Sequence, residues 1–169
     1  MELKRILAPT DFSKHADYAL QYALTFARAF GAKLYLLHVV YFPAYTAPQT
    51  LRLPGDAVSQ VLKGFVKEAK QRLKELVEKT KGPEAILPPV VRVGVEYREI
   101  AAFAAKEKID LIVMGTHGRT GLAHAFLGSV AERVVRHAPC PVLTVRPPTI
   151  KGRKAVKWEW VSRSDVRHW

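Results

Sequence analysis

Cysteine is almost absent from this sequence, and its scarcity excludes two kinds of chemistry. The single cysteine, Cys140, cannot form a disulfide within the 169 residues, and no second cysteine supplies the spacing of a structural metal site. Cys140 stands between Pro139 and Pro141, just ahead of an apolar run. We therefore expect a small buried residue there rather than a reactive thiol.

Long apolar runs are also missing. No stretch approaches the length of a membrane-spanning helix, and the opening residues MELKR do not begin an apolar segment with a cleavage site. The sequence therefore predicts a cytoplasmic protein with no membrane partner.

Acidic residues are too few to balance the basic ones: 27 Lys and Arg stand against 15 Asp and Glu, for a formal charge of +12. Such a charge helps to attract polyanions. The basic residues are spread over predicted helix faces, however, as at Lys63, Lys67, Lys70, Arg72 and Lys74. We favour a solvated helix surface over a nucleic-acid groove, so nucleic acid is an unlikely partner.

The motifs of several common enzymes are missing as well. No lysine follows Gly121 as a GxxxxGK[ST] loop requires, and no GxGxxG follows the first predicted strand. The sequence therefore favours neither a Walker-type NTPase nor a dinucleotide dehydrogenase. We find no carboxylate pair, His–Cys cluster or Ser–His–Asp arrangement that the expected topology would bring together, so efficient turnover is not predicted.

What the sequence does contain is a regular alternation of apolar runs and helical patterns. Helices are predicted between Ser13 and Gly31, and then at 57–79, 97–107 and 129–137, with Val58, Leu62, Phe65, Ala69, Leu73 and Leu76 facing inward on the second. Strands are predicted at 5–9, 33–40, 90–93, 110–114 and 141–145, and an irregular, mobile loop at 41–56. This alternation indicates a parallel sheet covered on both faces, with ligands bound beyond the carboxyl ends of the strands.

Three glycines and a serine follow the fourth strand in the pattern Gly115-x2-Gly118-x9-Gly128-Ser129. Glycines at a strand-to-helix crossing let backbone amides converge on an anion, and Ser129 is placed to cap the helix and to offer its hydroxyl to the same anion. The alternative is that the glycines only shape turns. Because the motif falls on the rim where topology predicts a ligand, we interpret it as a nucleotide phosphate site.

These residues resemble the universal stress protein family, in the subgroup that binds ATP through G-x2-G-x9-G-[S/T]. The resemblance extends to KRILAPTDFS, LYLLHVV, GVEYREI and the last third, IDLIVMGTHGRTGLAHAFLGSVAERVVRHAPCPVLTVRP. It implies an α/β, Rossmann-like, doubly wound five-stranded parallel sheet of strand order 3-2-1-4-5, with helices on both faces. The expected domain covers residues 1–146, and a basic, aromatic extension covers 147–169.

The resemblance also implies a role for each matching residue. The phosphates would be held by Gly115, Gly118, Gly128, Ser129 and the amide of Val130, with Arg119 neutralising charge. The sugar and base would be met by Asp11 at the ribose hydroxyls, Thr10 beside it, Pro9 and Met114 in the pocket wall, and the backbone of Val39 at the adenine edge.

Some of these residues have simpler alternatives. Asp11 could cap the turn before the first helix, a role that does not exclude the ribose. Met114 is expected in the core as well as in the pocket, and His38 is expected to be a hydrogen-bonded core histidine. His117 could touch an anion or face solvent.

The expected ligand is ATP, with or without Mg or Mn carried on its phosphates, and no metal ligand from the protein is predicted. The chain would then be a nucleotide-dependent stress-response or signalling module with an unknown protein partner. Two alternatives are a slow ATP hydrolase using the same pocket and a nucleic-acid-binding protein acting through the basic aromatic tail.

The fifth strand, Val142 to Val145, is short, apolar and last in the sheet. An uncovered strand of this kind can pair with a copy of itself, and the resemblance implies a homodimer through this edge. Alternatively, the tail folds back over it. Three tryptophans in the tail favour docking onto the body or onto a partner subunit.

Overall fold

The computed structural model describes residues 2–42, 55–80, 86–116 and 127–147. Its strands are β1 (Arg5–Pro9), β2 (Lys33–Val40), β3 (Val90–Val93), β4 (Leu111–Gly115) and β5 (Val142–Val145). Its helices are α1 (Lys14–Phe30), α2 (Gly55–Lys79), α3 (Glu96–Lys106) and α4 (Ser129–His137). Strands and helices alternate along these segments, as the sequence predicts.

The strands form one parallel sheet of order β3-β2-β1-β4-β5. This is the strand order implied by the family resemblance, and the predicted fold class is confirmed. The order reverses between β1 and β4, because the chain moves outward on one side through β2 and β3 and on the other through β5. Parallel sheets leave a crevice at this reversal, beyond the carboxyl ends of the strands.

Two apolar cores cover the two faces of the sheet. On one face, α1 and Leu73 of α2 pack against strand residues such as Ile6, Leu36 and Val113. On the other face, α3 and α4 pack against the alternate residues, Leu7 and Ile112 among them. Successive side chains along a strand point to opposite faces, so near-continuous apolar strands are what a doubly covered sheet requires.

Both ends of α1 lie where the sequence predicts them. Ser13 is the N-cap, and its Oγ accepts a hydrogen bond from the Ala16 amide at 3.2 Å. Gly31 ends the helix in the left-handed conformation, with φ at 65°. A polar N-cap and a left-handed glycine satisfy amides and carbonyls that have no partner within the helix.

Two predictions on the helices are wrong. Ser129 does not cap α4: Gly128 is the N-cap and makes no side-chain hydrogen bond, and Ser129 is the first helical residue. The Gly128 amide donates to the Thr116 carbonyl at 2.7 Å, which fixes the turn one residue earlier. Phe65 does not face the core either. It is 47% exposed and packs against the Phe42 ring, with ring centres 5.9 Å apart.

Cys140 is half-buried against the second core, and burial raises the pKa of its thiol above the ordinary value, with a further contribution from Asp110. Cys140 is thus less buried than the sequence predicts, and the raised pKa of its thiol agrees with the expectation that it is not reactive. In the described parts of the chain, no helix is long and apolar enough to cross a membrane.

The predicted loop at 41–56 is only partly described: Tyr41 and Phe42 are irregular, and α2 already begins at Gly55. The remainder of that loop lies outside the described residues, and so does the extension apart from Pro147.

Candidate functional site

A cavity of about 770 Å³ opens at the carboxyl edge of the sheet, where the strand order reverses. Its volume is typical of small-molecule sites. It is bounded by the loop after β1, the end of β2, the end of β4, the starts of α3 and α4, and the middle of α2. Nine of the predicted site residues line it: Pro9, Thr10, Asp11, Val39, Met114, Gly115, Gly128, Ser129 and Val130.

Side chains of the loop after β1 hold its backbone in place. The Phe12 amide donates to Thr10 Oγ1, and the Ser13 amide donates to Asp11 Oδ1, both at 3.0 Å. Asp11 therefore does cap the turn before α1, as one alternative from the sequence had it. The turn uses one carboxylate oxygen of a side chain that also lines the cavity.

The end of β2 presents backbone to the cavity. Pro9 pairs with Leu37, and the Thr10 amide donates to the Leu37 carbonyl at 2.8 Å, so the Leu37 backbone faces β1. Two residues later, the Val39 backbone faces the same way, because alternate residues of a strand direct their N–H and C=O groups to the same side. At that level β1 has ended. The N–H and C=O of Val39 are thus directed into the space beyond β1, whereas its side chain packs in the second core.

Gly115 has a structural reason to be glycine. A Cβ placed there would meet the backbone carbon and oxygen of His15 at 3.0 Å. This close approach lets the first turn of α1 rest against the end of β4. Gly115 therefore serves the packing of α1, whatever it also does toward a ligand.

The start of α4 supplies amides that have no partner within the helix. The first bond of the helical pattern runs from the Glu132 amide to the Gly128 carbonyl at 2.9 Å. The amides of Ser129, Val130 and Ala131 come before it and have no carbonyl partner within the helix. All three residues line the cavity. Together with the helix dipole, this end of the cavity favours an anion.

The charged side chains of the lining are Asp11, Glu68, Glu96 and Arg72. Arg72 is the only cationic side chain among the described lining residues. Its guanidinium lies 4.1 Å from the centre of the Phe12 ring, and Phe12 in turn packs against His38 with ring centres 4.5 Å apart. The sequence predicted Arg72 as part of a solvated helix face. Arg72 lies one residue before Leu73 and three after Ala69, both of which are predicted to face inward and are buried. This spacing was the sequence signal that Arg72 lies near the buried side of α2.

His38 is hydrogen-bonded, as expected: its Nδ1 donates to the Thr10 carbonyl at 2.7 Å. It is not a core residue, however, because it is half-buried and lines the cavity. Met114 is buried in the second core and also lines the cavity, so both of its expected surroundings are present. Gly118 and Arg119 of the motif, together with His117, lie outside the described residues. Within the described ranges, no group of three His, Cys, Asp or Glu side chains could hold a metal ion.

Comparison with known proteins gives a consistent result. The model of the universal stress protein family matches residues 2–146. Universal stress protein MJ0531 of Methanocaldococcus jannaschii is 38% identical over 149 residues, covering 86% of this chain and 83% of its own.

Two solved structures extend the comparison. One is the protein MJ0577, which superposes with a TM-score of 0.73 at 28% identity, covering 89% of this chain and 100% of that one. The other is a universal stress protein solved in complex with cAMP. It has a TM-score of 0.56 and 25% identity, and covers 88% of this chain and 100% of its own.

Proposed function

Because the chain belongs to the universal stress protein family, we propose that it binds an adenine nucleotide, with ATP as the working ligand, in the cavity at the carboxyl edge of its sheet. One observation carries the proposal. The cavity unites the start of α4, the Asp11 loop and the exposed backbone at the end of β2, which are three features of different chemistry that a nucleotide needs together.

The phosphates would lie at the start of α4. Three amides without helical partners, the positive end of the helix dipole and the Ser129 hydroxyl supply donors there. Gly128 has φ of −69° and ψ of 153°, a conformation open to any residue. The backbone conformation therefore does not itself require glycine there, and in this proposal the missing side chain leaves room for the phosphates. Gly115, Gly118 and Arg119 complete the phosphate site in this proposal.

The sugar and base would lie toward β1 and β2. A carboxylate such as Asp11 accepts hydrogen bonds from two neighbouring ribose hydroxyls, with Thr10 beside it. The N–H and C=O of Val39 match the acceptor and donor on the adenine edge, and Pro9 and Met114 provide apolar contacts. A related structure at 25% identity was solved with cAMP, which supports an adenine nucleotide as the ligand class.

The divalent ion, if one accompanies ATP, would be carried by the phosphates. We further propose that nucleotide occupancy is the signal that a protein partner reads, and that the chain acts as a homodimer through β5. A cytoplasmic location stays a prediction.

The proposal is tested by measuring ATP, ADP, AMP and cAMP binding by calorimetry, with mass spectrometry of any small molecule released from the denatured protein. Gly128→Val should abolish ATP binding and keep the fold, because a branched side chain would enter the phosphate path. Gly64→Ala is the matched control. Gly64 lies on α2 away from the cavity, and a Cβ there meets nothing within 4 Å.

Undiminished ATP affinity in Gly128→Val, or no nucleotide binding by the wild-type chain, would overturn the proposal. Incubation of the wild-type chain with ATP and Mg or Mn, followed by product analysis, separates a binding module from a slow hydrolase. Turnover well above that of Gly128→Val would favour the enzyme.

A further inference from the structure

The backbone of Phe12 adopts a conformation that few residues other than glycine adopt. Its φ is 63°, in the left-handed region. Bulky residues in this region are strained, and they persist where surrounding contacts hold them. Phe12 lies between Asp11 and Ser13, whose amide donates to Asp11 Oδ1 at 3.0 Å, so the conformation of Phe12 helps to set where the Asp11 carboxylate lies. The contacts that hold Phe12 are therefore relevant to the ligand.

The Phe12 ring contacts two side chains from other elements. The His38 ring packs on it with centres 4.5 Å apart and an interplanar angle of 38°, and the Arg72 guanidinium lies 4.1 Å from its centre. His38 belongs to β2 and is tied to the Thr10 carbonyl by its Nδ1 at 2.7 Å. These contacts link β2, the loop after β1 and α2, which are three separate walls of the cavity.

The Phe12 ring is the stronger of the two contacts that the structure gives to the Arg72 guanidinium. The other is Glu68, one turn earlier on α2, with 3.9 Å between Arg72 Nη1 and Glu68 Oε1 and both side chains well exposed. An exposed pair at that distance contributes little. A guanidinium 4.1 Å from an aromatic centre is well within the range of a cation–π interaction.

We infer that Arg72 is a positioning residue for a ribose-bearing ligand: by stacking on Phe12, it holds the Asp11 loop in the conformation that presents the carboxylate to the ribose hydroxyls. The inference rests on the proposed nucleotide function. Arg72 lies 61 positions after Asp11 and outside the glycine motif. The inference gives it a part in selecting ribose over sugars that lack the ribose hydroxyls.

The test measures the affinities of ATP and of dideoxy-ATP, which lacks both ribose hydroxyls, for the wild-type chain, Arg72→Ala, Arg72→Lys and Lys70→Ala. Arg72→Ala should weaken ATP binding about fivefold, the size of one cation–π contact. It should leave dideoxy-ATP binding unchanged, so the preference for ribose collapses. Arg72→Lys should restore part of the preference for ribose, because an ammonium group is attracted to a ring face but cannot stack on it as a plane.

Lys70→Ala is the matched control, because Lys70 is an exposed cation on the same helix that does not line the cavity. It should bind both nucleotides as the wild type does, and circular dichroism should confirm that all variants are folded. An equal loss for both nucleotides in Arg72→Ala, or no loss for either, would overturn the inference. So would a wild-type chain that binds both nucleotides equally. A wild-type chain that binds neither would instead overturn the proposed function.

Discussion

Two glycines of the motif differ in the reason for their lack of a side chain. Gly115 is required by packing, since a Cβ would lie 3.0 Å from the His15 backbone, whereas Gly128 has a backbone conformation open to any residue. A sequence motif treats the two alike. At the residue scale, the structure therefore gives a packing reason for Gly115, whereas we attribute the absence of a side chain at Gly128 to the proposed ligand.

Gly115→Ala tests this separation. The added methyl group must displace the backbone of α1, and we expect the free energy of unfolding to fall by about 1–3 kcal/mol, as overpacking usually costs. Urea unfolding measures it. Gly64→Ala is the control and should stabilise by up to about 1 kcal/mol, because alanine favours a helix and meets no neighbour there. Equal stability of Gly115→Ala and the wild type would contradict the packing role.

How much of the site could be predicted from the sequence depends on how far apart in the chain the contacting residues lie. The sequence could place Asp11, Val39 and Gly128 on the rim because all three lie at predicted ends of elements. Asp11 comes two residues after a predicted strand, Val39 is next to the last residue of another, and Gly128 directly precedes a predicted helix. The Phe12–Arg72 contact could not be predicted. It depends on a left-handed φ at a non-glycine residue and on how α2 packs over the loop after β1, neither of which leaves a local pattern.

Helix and strand bounds were predictable where local chemistry marks them. Ser13 and Gly31 satisfy the ends of α1 through their own side chain and conformation, so its bounds could be read from the sequence. The N-cap of α4 could not. It is set by a hydrogen bond from Gly128 to Thr116, across twelve positions of the chain, so the serine expected to cap the helix became its first residue.

At the scale of elements, the Asp17 carboxylate in the first turn of α1 is electrostatically unfavourable, and stability should therefore depend on pH. Burial, and then the neighbouring Asp11, raise the pKa of Asp17 above its ordinary value, and Lys79 at the end of α2 opposes them. The charged form of Asp17 is thus disfavoured in the folded chain. This contribution to stability is most favourable below the unfolded pKa and is lost as the pH rises through the folded pKa.

Asp17→Asn should therefore melt at a higher temperature than the wild type at neutral pH, because it removes the disfavoured charge. The difference should shrink as the pH falls below roughly 4, where the carboxyl of the unfolded wild type is also protonated. We expect a small effect, since Asp17 is largely accessible to water. Melting curves at several pH values measure it. A difference that grows toward acid pH would have the wrong sign.

For the whole molecule, the outer edge of β5 is the feature that bears on assembly. The Ile112 amide bonds to the Pro141 carbonyl and the Thr116 amide bonds to the Val145 carbonyl, so odd-numbered residues of this segment face β4. The backbone groups of Val142 and Thr144 are consequently directed away from the sheet. A strand that presents its backbone in this way can pair with a second copy.

Thr144→Pro tests the proposed homodimer without breaking the sheet. Proline removes only an amide that points outward, a position that edge strands tolerate, and the residue before it is already extended. We expect light scattering to show a dimer for the wild type and a monomer for Thr144→Pro, with helical circular dichroism retained. Thr144→Val keeps the amide and should remain a dimer. If the wild type is a monomer, or if the proline variant still dimerises, the outward-facing amide of β5 does not hold two copies together, and any nucleotide signal must be read from a single chain.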